Sequence, residues 1–124
     1  MEIKITINEL TFIGRLTNTP NAKLINDSLP ITSKINTWGD EIYFSTAVKG
    51  DLESDAKTIL EVGDLAFYPP LNAICIFFGP TPLSRGSQPE AAGPVNLLGR
   101  LIDPDISKLR SFSDGMQVVV EKNK

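Results

Sequence analysis

The hydrophobic positions of this chain are concentrated between Val62 and Pro82, where two apolar runs lie close together. Leu65–Tyr68 and Ala73–Phe78 are joined by a Pro-Pro corner, and Gly and Pro follow the second run. Short apolar runs bounded by turn residues are typical of buried strands. A strand that is apolar on both faces needs cover on both sides, so we expect Ala73–Phe78 to lie deep inside a barrel or sandwich.

Alternation of apolar and polar positions predicts the other strands. Ile3, Ile5 and Ile7 alternate with polar residues, and a turn at Asn8-Glu9 leads into a second strand that ends near Leu16. Together these two strands form an N-terminal hairpin. The same reasoning predicts strands at residues 31–37, 42–48, 95–102 and 116–121, with a turn at residues 38–41.

Helical signals are fewer. Thr19 is a good N-cap, Pro20 suits the first helical position, and apolar residues at helical spacing follow until Pro30. Asp103-Pro104 is predicted to cap a second short helix that holds Ile106 and Leu109. Residues 50–61 fit either a short helix or one strand with a loop, and the pattern does not choose between them.

About eight short strands with one or two short helices predict a mainly β fold, a closed antiparallel barrel capped by the helices. The chain has 124 residues, the length of one domain with a single core, so residues 1–124 are interpreted as one domain. Side chains fill an eight-stranded barrel, so a ligand is expected on the outer face or at a mouth. Leu83–Pro94, rich in Ser, Gly, Pro and Ala, is predicted to be the longest loop.

The composition removes several kinds of chemistry. The chain has no histidine, which excludes Ser/His/Asp triads, His-ligated metals and imidazole acid–base catalysis. Its one cysteine, Cys75, excludes an internal disulfide and a cysteine-rich metal site, and is interpreted as inert core. No Gly-rich phosphate-binding motif is present. We therefore expect neither a metal nor a cofactor.

Charge and hydropathy limit the partners. The net charge is −3 and no stretch is densely basic, so we expect no nucleic-acid partner. No apolar run approaches the roughly 20 residues that a membrane-spanning helix needs, so we expect no membrane association. The chain begins with an alternating strand pattern instead of a signal peptide, which predicts a cytoplasmic location.

A set of motifs occurs in order along nearly the whole chain, from about residue 3 to about residue 121: Asn36–Thr46, Gly63-Asp64, Phe67–Pro70, Phe77–Pro82, Gln88-Pro89, Val95-Asn96 and Gly99. Together they resemble the small prokaryotic cyclophilin-like proteins, also called atypical cyclophilins. The resemblance implies the cyclophilin-like fold, an eight-stranded antiparallel β-barrel with helices closing its ends. True cyclophilins catalyse prolyl cis/trans isomerisation in a groove on the outer face of that barrel.

The chain departs from true cyclophilins at their catalytic positions, because it has no Phe-His-Arg triplet and no Gln-Gly-Gly stretch. A prolyl isomerase must hold the proline ring in an apolar pocket and favour a twisted amide, which partial double-bond character opposes. In cyclophilins a guanidinium is thought to face the proline nitrogen. Arg85, on the predicted loop, is the one candidate for a guanidinium that donates to the proline nitrogen. No catalytic residue is assigned.

The candidates for ligand binding are mostly aromatic, because strand alternation leaves some rings outside the core where they can line a shallow groove. One ring of the Phe77-Phe78 pair is expected to face out. Asp40-Glu41 fits a site for a cation or a ligand amine, but the polarity of a turn explains it more simply. The predicted ligand-binding residues are Trp38, Tyr43, Phe67, Tyr68, Phe78 and Arg85.

Three functions remain open at this point, because a fold does not choose among them. The first is a cyclophilin-like binding domain whose aromatic groove takes a small molecule or a proline-containing peptide without catalysis. The second is an active peptidyl-prolyl cis-trans isomerase with a rearranged site. The third is an interaction module whose exposed aromatic residues form a homodimer interface.

Overall fold

The computed structural model describes residues 1–124 and contains ten strands, two α-helices and a 3₁₀ turn at Pro69–Leu71. All strand pairs are antiparallel. The helices are α1 (Pro20–Asp27) and α2 (Ile106–Arg110). The strands are β1 (Glu2–Ile7), β2 (Leu10–Leu16), β3 (Ile31–Lys34), β4 (Asn36–Thr37), β5 (Glu41–Ser45), β6 (Lys57–Ile59), β7 (Asp64–Tyr68), β8 (Ala73–Phe77), β9 (Glu90–Leu101) and β10 (Gln117–Lys122).

The strands form a closed ring. Neighbours in the sheet follow the order β3-β10-β1-β2-β9-β7-β8-β5-β4. The two ends of this order, β3 and β4, are separated along the chain by Ile35 alone. One segment therefore pairs with β10 through its first half and with β5 through its second half. Counting that segment once and leaving β6 aside, the ring has eight strands, and the predicted mainly β barrel is confirmed.

Local sequence explains the N-terminal hairpin. β1 pairs with β2 so that Ile5 lies opposite Phe12, and both side chains are buried. Asn8 and Glu9 connect the strands with φ angles of 45° and 75°. Two successive residues with positive φ form the turn whose twist matches that of paired antiparallel strands.

The helices begin at side-chain caps. α1 starts as predicted, with Thr19 as N-cap accepting a hydrogen bond from the Ala22 backbone N–H at 3.4 Å. The predicted start of α2 at Asp103-Pro104 was wrong by two residues, since Asp105 is its N-cap. Asp103 has a φ of 44°, so the chain turns there before it becomes helical. Neither helix combines the length and apolar character needed to cross a membrane.

Two apolar clusters lie on opposite faces of the same strands. The inner cluster fills the barrel and contains 23 buried residues, Ile74 and Ile76 of β8 among them. Side chains alternate along a strand, so the remaining β8 residues face outward. The outer cluster holds six buried residues: Leu60, Ala66, Cys75, Phe77, Ala91 and Val95. All five residues of β8 are buried, which is the two-sided cover expected for this run.

A ribbon made of β6 and the first half of β9 covers the outer cluster. β9 pairs with β7 through residues 96–100, and with β6 through Glu90 and Val95. The register shifts between Leu65 and Ala66 of β7, which marks a bulge where the long strand bends. The loop predicted for residues 83–94 was therefore wrong from Glu90 onward. Its small residues pair as a strand because β6, distant in sequence, supplies the partner.

Residues 50–56 form a loop that leads into β6, and two buried amide side chains hold that loop in place. The Asn96 side chain donates to the Asp51 carbonyl at 2.9 Å and accepts from the Glu53 backbone N–H at 2.8 Å. Asn21 of α1 donates to the same Asp51 carbonyl at 3.0 Å. Asn96 is thus engaged with a loop backbone, as a buried polar side chain must be.

Candidate functional site

An apolar cavity of about 370 Å³ opens on the outer face of the barrel, and we refer to it as the outer cavity. Its volume lies at the lower end of the roughly 300–1,000 Å³ typical of ligand pockets. It therefore has the size of one small organic molecule or one large amino-acid side chain. Three aromatic rings and one carboxyl group stand out among its lining residues, which are Trp38, Glu41, Tyr43, Tyr68, Pro70, Leu71, Cys75, Ala91, Ala92 and Val95.

Strand alternation builds the floor of the outer cavity. On β5, Glu41 and Tyr43 line the cavity while the residues between and after them fill the barrel interior. In the pairing of β5 with β8, Tyr43 lies opposite Cys75. On β7, Tyr68 takes the same outer face and lies opposite Ala73 of β8. Three neighbouring strands thus each send at least one side chain to the same site.

The turn before β5 positions Trp38. The Trp38 N–H donates to the Glu41 carbonyl at 2.9 Å, and the Glu41 N–H donates to the Trp38 carbonyl at 3.2 Å. Gly39 has a φ of 59°, which a side chain would disfavour. The Arg110 guanidinium of α2 donates to the Asp40 carboxylate at 2.9 Å. The turn is therefore held from within and from α2, which fixes the indole against the cavity.

The ribbon forms the opposite wall with small residues. Ala91, Ala92 and Val95 of β9 line the cavity. Gly93 packs close to Tyr68, since a Cβ added there would lie 3.4 Å from the tyrosine ring. Because these side chains are short, the ribbon covers the outer cluster without filling the space beside the aromatic rings.

Glu41 is the one Asp, Glu, Lys or Arg that lines the outer cavity, and it is only 7% exposed. All six ion pairs of the chain involve other carboxylates. Burial raises the pKa of Glu41 to about 7, and a hydrogen bond from Cys75 acts in the opposite direction. The cavity therefore contains a carboxyl group that changes charge near neutral pH and has no cationic partner in the protein.

Cys75 adjoins Glu41 and is not a nucleophile. Burial raises the pKa of the Cys75 thiol well above its usual value, and the charge of the adjacent Glu41 raises it further. The reactive form of a cysteine is the thiolate, so this thiol is unreactive at neutral pH. No group of three or more His, Cys, Asp or Glu side chains is placed to hold a metal ion.

The structure brings three of the predicted ligand-binding residues together. Trp38, Tyr43 and Tyr68 all line the outer cavity, although they come from a turn and two different strands. Each is partly exposed, and the apolar parts of the two tyrosines pack against the outer cluster.

The other three predicted residues lie elsewhere. Phe67 and Phe78 belong to the inner cluster, with 0% and 3% exposure, and do not reach the cavity. Phe77 faces outward but is buried under the ribbon, so neither ring of the Phe77-Phe78 pair is exposed. The Arg85 side chain is 81% exposed and pairs with Glu90 at 3.2 Å, outside the cavity.

Two cavity residues, Glu41 and Cys75, were interpreted from sequence as turn polarity and inert core. Parity along the strands was the available signal. Glu41 shares a strand face with Tyr43 in β5, and Cys75 shares one with Phe77 in β8. A carboxyl group on the same strand face as a predicted ligand-binding aromatic residue is itself a candidate site residue, even when it also adjoins a turn.

The eight-stranded ring is the architecture that the sequence motifs implied. The family model described as Cyclophilin-like matches residues 1–121, and the chain therefore belongs to the cyclophilin-like family. It is also similar to the solution structure of a hypothetical protein from Archaeoglobus fulgidus, with 38% identity and a TM-score of 0.83. That similarity covers 99% of this chain and 95% of the other. No curated protein matches the chain.

Proposed function

We propose that this protein binds a small organic molecule in the outer cavity and does not catalyse prolyl isomerisation. The observation that supports this most directly is a ligand-sized cavity that is lined by three aromatic residues and one carboxyl group. Concave, mostly apolar sites with a few placed polar groups are the usual form of small-molecule sites. Rings left partly uncovered by the fold bury further apolar area when a ligand contacts them.

The walls of the cavity are held by the fold before any ligand arrives. The Trp38 turn is closed by two backbone hydrogen bonds and by the Asp40–Arg110 ion pair. The ribbon wall is held by strand pairing between β6, β9 and β7. A preformed site spares the ligand much of the cost of ordering side chains and loops, which favours binding of a small molecule.

The same geometry argues against isomerase chemistry. A twisted prolyl amide needs a donor near the proline nitrogen, and no lysine or arginine lines the outer cavity. Arg85, the one candidate donor from the sequence, is engaged with Glu90 outside it. The chain also has no histidine. The cavity offers an apolar pocket and an acid, which fits binding better than isomerisation.

Binding can be followed with the protein's own fluorescence, because Trp38 is the only tryptophan and lies in the cavity wall. The probes are benzyl alcohol, benzylamine, phenylacetate and choline, which differ in charge and are small enough for the cavity. We expect a saturable change in Trp38 emission with at least one of them. No saturable change with any of the four would overturn the proposal.

A cavity-filling variant localises the binding. Ala92 is exposed and lines the cavity, so the ring in Ala92→Phe should occupy the space. The affinity for any probe that binds the wild type should fall at least about tenfold. Ala47→Phe is the matched control, because Ala47 is exposed but lies outside the cavity. Equal weakening by both variants would show that the fluorescence reports a site other than the outer cavity.

A protease-coupled assay on an Ala-Pro peptide tests the second half of the proposal. We expect the cis-to-trans rate to match the uncatalysed rate, which is set by a barrier of roughly 20 kcal/mol. A rate that rises in proportion to protein concentration would contradict the proposal. Loss of that rate in Arg85→Ala would then identify a rearranged isomerase site.

A further inference from the structure

We infer that the ligand of the outer cavity carries a positive charge, a protonated amine or a quaternary ammonium group, held between the Glu41 carboxylate and the aromatic rings. This inference rests on the proposed function and names the chemical class of its ligand. It follows from how the charges of this site are arranged.

The first step is that Glu41 lacks a counter-ion within the protein. A buried carboxylate is costly unless it is paired and hydrogen bonded. Glu41 is only 7% exposed, yet all six ion pairs of the chain use other carboxylates. A cationic group entering the cavity would supply the missing partner, and an anionic one would be repelled.

The second step is that the walls also favour a cation. Trp38, Tyr43 and Tyr68 present aromatic rings to the same space as the carboxylate. The face of an aromatic ring attracts a cation, most strongly when the cation is an ammonium group removed from water. Carboxylate and rings therefore select for the same charge, whereas a neutral ligand would use the rings alone.

The third step concerns the other groups that face Glu41. Cys75 from β8, and Tyr43 and Tyr68 from β5 and β7, are the titratable groups that share the cavity, and none carries a positive charge. Asp40, the neighbour of Glu41 in the chain, is paired with Arg110. No protein cation thus competes with a ligand for the Glu41 carboxylate.

Choline and its carbon isostere 3,3-dimethylbutan-1-ol test this inference, because the two have nearly the same shape and differ in charge. We expect choline to change Trp38 emission at a concentration at least about tenfold lower than the isostere. Glu41→Gln keeps the shape of the side chain and should reduce that preference several-fold, leaving only the part that the aromatic rings supply. Glu121→Gln is the matched control, since Glu121 is a half-exposed β10 carboxylate that pairs with Lys4 outside the cavity.

A pH profile of the wild type gives a second readout that needs no variant. The charge of choline does not titrate, so a change in its affinity reports the protein. Only the ionised form of Glu41 attracts it, and the pKa of Glu41 lies at about 7. We expect the affinity for choline to rise at least about tenfold between roughly pH 5.5 and 8.5, while that for the isostere stays constant.

The outcomes separate the inference from the proposed function. Equal affinity for choline and its isostere, or binding of benzyl alcohol without choline, would overturn the inference and leave small-molecule binding in place. A flat pH profile for choline, or a preference for choline that is undiminished in Glu41→Gln, would also overturn it. Failure of all the probes to bind would overturn both.

Discussion

The two faces of β5, β7 and β8 differ in how completely they are packed. On the inner face, Phe44, Phe67 and Ile76 are completely buried in the inner cluster. On the outer face, the ribbon covers only part of the surface and leaves Tyr68 and its neighbours around an open cavity. Phe67 and Tyr68 are consecutive in sequence, so one peptide unit separates a residue that stabilises the fold from one that lines a site.

This contrast shows where a small barrel can carry function. The inner cluster is close-packed, so any change of volume there is felt as a loss of stability. The outer cavity is bordered by short side chains of the ribbon, and it contains Glu41, whose pKa is raised to about 7 because burial disfavours its charged form. Strain of this kind persists where the rest of the fold is stable enough to hold it, and it marks candidate functional sites.

The largest effect is expected from Phe67→Ala, set against its neighbour Tyr68→Ala. Removing the fully buried Phe67 should lower the free energy of unfolding by about 3–5 kcal/mol, because a cavity is left in the close-packed core. Tyr68→Ala should cost only about 1–2 kcal/mol, since that ring is partly exposed. Urea unfolding of both variants measures the difference. Equal losses would remove the distinction between the two faces.

Glu41→Gln is expected to change how stability depends on pH. The folded pKa of Glu41, about 7, lies above the 4.5 of a free glutamate, so the folded state keeps a proton that the unfolded state loses. The stability of the wild type therefore falls as pH rises from about 4.5 to about 7. Gln does not titrate, so the free energy of unfolding of Glu41→Gln, relative to that of the wild type, should rise by roughly 2–3 kcal/mol from acidic to mildly alkaline pH.

The measurement is urea unfolding of both proteins across that pH range. Glu121→Gln serves as control, because it removes a carboxylate that lies outside the outer cavity. Parallel curves for Glu41→Gln and wild type would contradict the raised pKa of Glu41. They would also contradict the claim that the outer face, unlike the inner face, buries a carboxyl group whose charged form is disfavoured.

Cys75→Ala sharpens the comparison within the outer face. The Cys75 thiol adjoins Glu41 and lowers its pKa against the effect of burial. Without the thiol, the pKa of Glu41 should rise further, and stability should drop by about 1–2 kcal/mol. Titration of the Glu41 carboxyl carbon by NMR measures the first effect. Cys75→Ser retains a donor and should titrate closer to wild type; identical curves for Cys75→Ala and wild type would exclude the proposed hydrogen bond.

The smallest effect is expected from Arg85→Ala. Its side chain is largely exposed, and its ion pair with Glu90 lies outside the cavity. Exposed pairs of this kind contribute little, so the free energy of unfolding should change by at most about 0.5 kcal/mol. Binding of the probes to the outer cavity should be unchanged. A clear loss of probe binding would show that the Arg85 loop takes part in the site.

The sequence predicted the fold through local rules. Period-two alternation identified β1, β2, β5 and β10, and Thr19 with Pro20 identified the start of α1. Motifs spread over the chain then implied the family that the comparison confirmed for residues 1–121. Each of these signals needs only a few neighbouring residues, or their order along the chain.

The candidate site was predicted only in part, because these signals are local and the site is formed by segments that are distant in sequence. Alternation placed Tyr43 outside the core and required one ring of the Phe77-Phe78 pair to face outward. It could not say which face of β7 and β8 fills the barrel, so Phe67 and Phe78 were predicted as ligand-binding residues although they lie in the inner cluster. Composition suggested a loop at Glu90–Pro94, whereas pairing with β6 makes it the wall of a cavity. That pairing joins segments some 30 residues apart, which no local pattern contains.

The parity of each strand, and hence which side chains share a face, follows from the sequence alone. Glu41 with Tyr43, and Cys75 with Phe77, are grouped in this way by their spacing of two residues. The extent of cover on the outer face is a property of the tertiary structure, because it depends on where the β6–β9 ribbon crosses β7 and β8. Partial cover keeps water from the Glu41 carboxyl, raises its pKa and leaves room beside the aromatic rings for a ligand.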